Sequence, residues 1–368
     1  MRIGIIDADL LGRNKHRFPN LALEKISGYY KTIGHHVELV LDYNDTNKYD
    51  KVFISKVFTD TQIAPHKKAD NVVIGGTGFY FDKAPALPAC IEHHMPDYHL
   101  YDDFIKKIKV NKKLSSQQYR FYTDYSIGFL TRGCFRKCGF CVNQKYNHVF
   151  MHSPLDEFLD HDRKKLCFLD DNFLGHPQWK MLLRKVIDTG KPFVFKQGLD
   201  ERLLTEEKGQ MLFSAKYDGD VIFAFDNITD YDLIHKKLKI ISKYKGKKNV
   251  KFYVLVGFES TDAQDIINAF KRIELLFCYG CMPYIMRFQN KNDVPWKMSE
   301  FRSLYVTLAR WCNQPSIVKK MSFRDFCELN QEVHKNKGTL CSSMDAMRKF
   351  EKMYPDSAKY FDMRFENR

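Results

Sequence analysis

No apolar run in the 368-residue chain is long enough to span a bilayer, so the sequence offers no transmembrane helix. The opening segment MRIGIIDADLL reads as a short strand that soon turns polar; it lacks the apolar core and small-residue cleavage site of a secretory signal. A cytoplasmic protein with no membrane partner is therefore expected. There is no internal repeat and no low-complexity segment. A disulfide framework is absent too: the 10 cysteines are unevenly spaced, and in a reducing compartment such usage reads as metal or redox chemistry. Acidic charge is the minority, 45 residues against 59 basic ones, for a net +14. The excess is mostly lysine, gathered in Lys106–Lys113 and His235–Lys248. A nucleic acid or another anionic partner would account for it, but neither run carries a nucleic-acid motif, and a solvated lysine-rich surface is the simpler reading.

What is present is a long alternation of strands and helices, enough for two or three compact units. Short apolar strands are expected at Ile3–Asp7, Val37–Asp42, Lys51–Ser55 and Val72–Gly76, with a helix over Leu21–Ile33 ended by Gly34. Strands separated by crossovers predict an α/β fold, here a doubly wound parallel, Rossmann-like sheet over residues 1–100. Residues 101–123 are polar and basic and read as a partly helical linker. A second series follows over 124–290: Ser126–Leu130, Lys165–Leu169, Phe193–Lys196, Val221–Phe225, Lys251–Val256 and Tyr284–Arg287. Their spacing leaves room for a helix after each, which predicts a partial (β/α)6 barrel rather than a closed one. Residues 291–368 read as a C-terminal helical region, with helices at Ser299–Trp311, Ser322–Asn336 and Ser343–Tyr354.

The segment between the first two strands of that series carries Cys134-x3-Cys138-x2-Cys141. Three thiolates on one loop can hold three corners of a 4Fe-4S cluster and leave the fourth iron without a protein ligand. S-adenosylmethionine (SAM) can chelate such an open iron through its amino and carboxylate groups; the cofactors then supply the chemistry and the protein supplies ligation and shielding. A structural zinc would need a fourth ligand, for which His148 or Cys167 would have to serve. That alternative makes the chain a zinc-containing nucleic-acid-binding protein.

The stretch Ser126–Asn147, SIGFLTRGCFRKCGFCVNQKYN, resembles the signature of the radical SAM superfamily. Residues 124–290 resemble its core. Residues 1–100 are similar to the cobalamin-binding-type Rossmann domain that precedes many such cores, through Tyr49–Ser55, the turn Gly75-Gly76-Thr77-Gly78, and Pro96-Asp97-Tyr98. The resemblance implies that Cys134, Cys138 and Cys141 bind the cluster and that the backbone of Phe140 meets the adenine of SAM. It places a contact to the SAM amino group on the second strand, at Asp170 or Asp171. Strand ends elsewhere in the series place Gln197, Asp200 and Arg202 at the mouth. They also place Asp226 beside the ribose, Gly257 against the adenine, and Pro283, Tyr284 and Met286 over the nucleoside. An external electron donor such as flavodoxin or ferredoxin is implied as well. So is hydrogen abstraction from an unidentified substrate, or methyl transfer through cobalamin.

The sequence departs from that pattern in two ways. No Asp-x-His-x-x-Gly loop offers a cobalt ligand, since His35 and His36 follow Gly34 outside such a context. The N-terminal region has only Cys90, which argues against methylthio transfer. Cys278 and Cys281 could seed a second cluster with Cys312, Cys327 or Cys341, but they flank a helix-to-strand turn and are expected to be buried structural residues.

Overall fold

The computed structural model describes residues 1–13, 18–63, 70–110, 115–290 and 293–365, with residues 109 and 110 described by backbone alone. The chain divides into two compact units, Met1–Lys196 and Gln197–Arg368. Both are mixed α/β with parallel sheets. No helix among the described residues is long and apolar enough to cross a membrane.

The first unit opens with a four-stranded parallel sheet: β1 (Arg2–Asp7), β2 (His36–Leu39), β3 (Lys51–Ser55) and β4 (Val72–Gly75), in the spatial order β2-β1-β3-β4. The side-chain alternation of a strand distributes β1 over two cores. Ile3 and Ile5 pack with Val37 and Phe53 against the helix Leu21–Thr32, while Ile6 packs with Val40, Val52 and Ile54 on the other face. Burial on both faces is why these strands read as near-continuous apolar runs. The side chain of Asp7 accepts from the amides of Asp9 and Leu10 and caps the short helix Ala8–Gly12, and its other oxygen takes the hydroxyl of Tyr101 at 2.9 Å.

The region expected as a linker is mostly helical, with Asp102–Val110 and Ser116–Thr123. The end of the Lys106–Lys113 run lies outside the described residues. The segment before it is an integral part of the packing. Asp97 accepts from Ser27 at 2.6 Å and pairs with Lys31 at 2.7 Å, while buried Tyr98 accepts the amide of Ile127 and donates to the carbonyl of Phe158 at 2.7 Å. The Pro-Asp-Tyr sequence thus ties the helix Leu21–Thr32 to the strand that follows.

That strand is β5 (Tyr125–Gly128). A two-stranded antiparallel ladder follows, β6 (Thr131–Arg132) with β7 (Phe150–Met151). Next come β8 (Lys165–Phe168), the helix Trp179–Asp188 and β9 (Phe193–Phe195), and β5-β8-β9 form a parallel sheet. Here one expectation is corrected. No crossover helix separates β5 from β8, because that stretch is taken up by the β6/β7 ladder and the cysteine loop it closes.

The second unit holds β10 (Val221–Ala224), β11 (Val250–Val256) and β12 (Met282–Arg287), again parallel and in sequence order. Helices Tyr231–Tyr244 and Ala263–Cys278 form the crossovers. The strands of the series form two three-stranded parallel sheets, one in each unit. In Tyr231–Tyr244 the buried residues are Ile234, Leu238 and Ile241, and that spacing leaves Lys236, Lys239 and Lys243 exposed, while Lys237 is half-buried and donates to the carbonyl of Leu204. Helices Arg302–Cys312, Phe323–Asn336 and Ser342–Met353 follow, around buried Trp311, Phe323 and Phe350.

Candidate functional site

The β6/β7 ladder pinches the chain at Arg132 and Phe150, so the residues between them form a closed loop at the C-terminal end of β5. Gly133 starts it with φ +88°, and a Cβ there would lie 2.3 Å from the carbonyl oxygen of His148. Only glycine meets both demands. Two consecutive carboxylates after β8 hold the entry strand. Asp170 is buried; its Oδ1 accepts the amide and the hydroxyl of Thr131, both at 2.7 Å, and its Oδ2 accepts the amide of Leu130 at 3.2 Å. Burial pushes its carboxyl up to about 7 against the opposing pull of those hydrogen bonds. Asp171, more exposed, accepts the amide of Gly133 at 2.7 Å and lies 3.6 Å from the guanidinium of Arg132.

Cys134, Cys138 and Cys141 are all free thiols and half-buried. The amide of Arg136 and the side-chain amide of Asn172 both point at Sγ of Cys134, each at 3.3 Å. The amide of Asn143 points at Sγ of Cys141 at 3.4 Å. Gln144 braces the turn by donating to the carbonyls of Cys138 and Cys141, and Lys137 caps the carbonyls of Gln144 and Tyr146. Burial, and the neighbouring Cys138, Cys134 and Asp171, push the Cys141 thiol up, while the amide of Asn143 pulls it down. Phe140 is half-buried on the same loop.

No group of three or more His, Cys, Asp or Glu side chains among the described residues converges on a single-ion site. A cubane cluster asks something different: thiols on separate corners, partly shielded and with N–H groups directed at sulfur, since such hydrogen bonds tune the cluster. Of these features the loop shows partial burial of the three thiols and N–H groups directed at Cys134 and Cys141. Of the two fourth ligands a zinc site would draw on, Cys167 is fully buried within β8, and His148 sets its ring 5.4 Å from that of Phe150.

The other candidates lie in the second unit. Gln197 is exposed, next to Gly198 with φ +92°. Arg202 donates to Asp200 at 2.7 Å and lies 3.5 Å from Asp230, so the loop after β9 is internally ion-paired. Between them, buried Glu201 accepts the amide of Ala224, and burial pushes its carboxyl up to about 8. Asp226 follows β10, its carboxyl raised by burial and partly restored by Arg272 to about 6. Arg272 is buried and donates to the carbonyls of Phe225, Asp226 and Leu255, joining the ends of β10 and β11. Gly257 has φ +69°; its amide goes to Asp265, which also accepts Tyr305 at 2.7 Å. On β12, Pro283 is buried, Tyr284 packs on Tyr253 and Met286 is exposed. Asp226 and Gly257 thus share the C-terminal edge of one sheet.

One expectation needs correction: Cys278, expected to be buried, is exposed, while Cys281 is buried as expected, with its thiol pushed up to about 12 by burial. Sequence reasoning also passed over a buried polar group in the first unit. Lys25 reaches Glu92 at 2.9 Å, and Glu92 in turn lies 3.4 Å from His152. Burial raises the Glu92 carboxyl, but His152 and Lys25 outweigh it and hold it at about 2. These residues are far apart in sequence, and only the odd presence of lysine on the apolar face of Leu21–Ile33 could have hinted at it.

No family model and no curated protein matches the chain. Among solved structures, that of the apo, selenomethionine-labelled cobalamin-dependent S-adenosylmethionine radical enzyme OxsB is similar at 13% identity and a TM-score of 0.35. The match covers 80% of this chain and 50% of that one, so this chain spans about half the length of its neighbour. A likeness of that size carries no argument, and the reading below rests on the loop.

Proposed function

We propose that the chain is a radical SAM enzyme in which Cys134, Cys138 and Cys141 hold a 4Fe-4S cluster. The observation that carries this reading is the loop itself. Its three half-buried thiols lie on one turn, with amide groups aimed at Cys134 and Cys141, and its entry strand is fixed by Asp170. Cys134, Cys138 and Cys141 would hold the cluster, which with SAM and a one-electron donor such as flavodoxin or ferredoxin would supply radical chemistry for hydrogen abstraction from the substrate.

The chain's own residues have distinct parts in this reading. Asp170 is fully engaged with Leu130 and Thr131 and positions the loop. Asp171, more exposed and beside the Gly133 amide, is the carboxylate available to a SAM ammonium. Phe140, Gln197, Asp226 and Gly257 are assigned to SAM, with the (β/α)6 core over 124–290, the Rossmann-like domain over 1–100, the linker over 101–123 and the helical region over 291–368. A cytoplasmic site of action belongs to the same reading, and the net charge of +14 favours an anionic substrate.

His35 and His36 are not placed to ligate a cobalamin. His36 begins β2 and His35 precedes it, at the N-terminal end of a parallel sheet whose ligand crevice lies at the opposite end. Anaerobic incubation with iron and sulfide tests the assignment. A brown chain with about four iron and four sulfide is expected, whereas a colourless chain with about one zinc would favour the structural-zinc reading.

A further inference from the structure

The first unit contains a cavity of about 700 Å³. One wall is the C-terminal edge of the N-terminal sheet, at Ser55 and Gly75, together with the helix Leu21–Thr32. The opposite wall is the base of the cysteine loop, at Phe129, Arg132, Asn143 and Phe150. Its position has a topological cause. In the order β2-β1-β3-β4 the chain reverses direction of travel between β1 and β3, which opens a crevice outside the strand ends. The volume falls in the range that encloses a drug-sized molecule.

The lining is mostly hydrocarbon, from Leu21, Ile26, Phe53, Ile74, Leu87 and Ile91. Its charges are not equally committed. Lys25 is spent on Glu92, both at the carboxylate and at the backbone carbonyl. Arg132 differs. Its Nε is buried without a hydrogen bond, 3.6 Å from a carboxylate of Asp171 that already accepts the Gly133 amide. Its guanidinium lies 4.1 Å over the ring of Phe129. A planar fork of donors held on an aromatic face is suited to a carboxylate or phosphate. Lys145, on the same wall, has no carboxylate partner among the described residues and lies over Tyr146.

We propose that this cavity binds a small molecule with an apolar body and one anionic head, carboxylate or phosphate, and that Arg132 is the counter-ion for that head. Arg132 immediately precedes Gly133 and Cys134, so the anion is anchored beside the loop that would hold the cluster. That the ligand is the enzyme's substrate rests on the radical SAM reading; that the cavity binds it does not.

Two fluorescent probes that differ only in the anion test this on the full chain: 1-anilinonaphthalene-8-sulfonate and its neutral analogue N-phenyl-1-naphthylamine. The expected result is one saturable site per chain, with the anionic probe bound roughly tenfold more tightly. Arg132→Gln should remove that difference by weakening the anionic probe alone. Ala86→Trp, at an exposed position of the lining, should weaken both; Ala22→Leu on the facing wall replaces it should the tryptophan lower the melting temperature. Displacement by decanoate and by decyl phosphate then separates the two head groups. Equal affinity for the two probes, an unchanged Arg132→Gln, binding indifferent to the filled cavity, or displacement by hydroxocobalamin and by neither alkyl anion would each overturn the proposal. Iron content measured on the same preparations keeps the two ideas apart. A chain that binds the probe as described but takes up no iron retains the ligand site and loses the radical chemistry.

Discussion

Oδ1 of Asp170 accepts two hydrogen bonds from Thr131, one from the backbone amide and one from the hydroxyl, both at 2.7 Å. A carboxylate just past β8 thereby fixes the strand that leads into the cysteine loop. Removing it leaves buried donors without partners, at about 1–3 kcal/mol each. Asp170→Ala should lower the melting temperature and reduce the iron retained after reconstitution, with all three thiols still present. Unchanged iron retention would mean that the loop holds its shape unaided.

Gly133→Ala places a Cβ against the His148 carbonyl at a left-handed backbone position. Strain of about 1–3 kcal/mol is expected. It should appear as faster hydrogen exchange across the loop and β6/β7, with the N-terminal sheet unaffected. Uniform loss of protection across the unit would instead mean global destabilisation.

The N-terminal sheet predicts a pH dependence. Asp7 is buried, and burial raises its carboxyl to about 7, against the opposing hydrogen bonds of Tyr101 and the Leu10 amide. The folded state then binds more protons than the unfolded state between about pH 4 and pH 7. The stability linked to this group is complete below the unfolded value and is lost as pH rises through the folded one. Asp7→Asn keeps an N-cap acceptor and cannot ionise. It should flatten the fall in unfolding free energy over that window, by on the order of 1–4 kcal/mol. Urea titrations at pH 5 and pH 8 read this directly, and parallel slopes in the two proteins would contradict it.

Much of the fold could be read from the sequence because its strands announce themselves. Val52–Ser55 and Phe193–Phe195 are short apolar runs buried on both faces, and the structure places β3 and β9 on them. The missing helix after β5 was not legible, since spacing alone cannot tell a crossover helix from a loop closed by two paired residues on each side, Thr131–Arg132 and Phe150–Met151. Nor was the division of the core strands between two sheets, which depends on ladder hydrogen bonds and not on apolar pattern. At the site, the cysteine spacing was plain. The separate duties of Asp170 and Asp171 were not, because neighbouring acidic residues look alike until one is buried on Thr131 and the other lies beside Arg132. The Lys25–Glu92–His152 group joins residues with no shared sequence context.

In the second unit, Arg272 is buried and its Nη1 collects the carbonyls of Phe225, Asp226 and Leu255. Arg272→Leu should strand those acceptors and cost about 3 kcal/mol or more. It should also raise the carboxyl of Asp226 further, since Arg272 is the main influence holding it down. Thermal unfolding with exchange mapped to β10 and β11 checks the first effect. Protection of β10 and β11 equal to that of the parent chain would show that the carbonyls find other donors.

The central claim meets its most direct test in the product of SAM cleavage. Under anaerobic conditions the reconstituted chain, given SAM and dithionite, should release 5′-deoxyadenosine, and Cys138→Ala should lose both the brown colour and that product. Release of 5′-deoxyadenosine undiminished in Cys138→Ala, or none from a fully iron-loaded parent chain, would contradict the account.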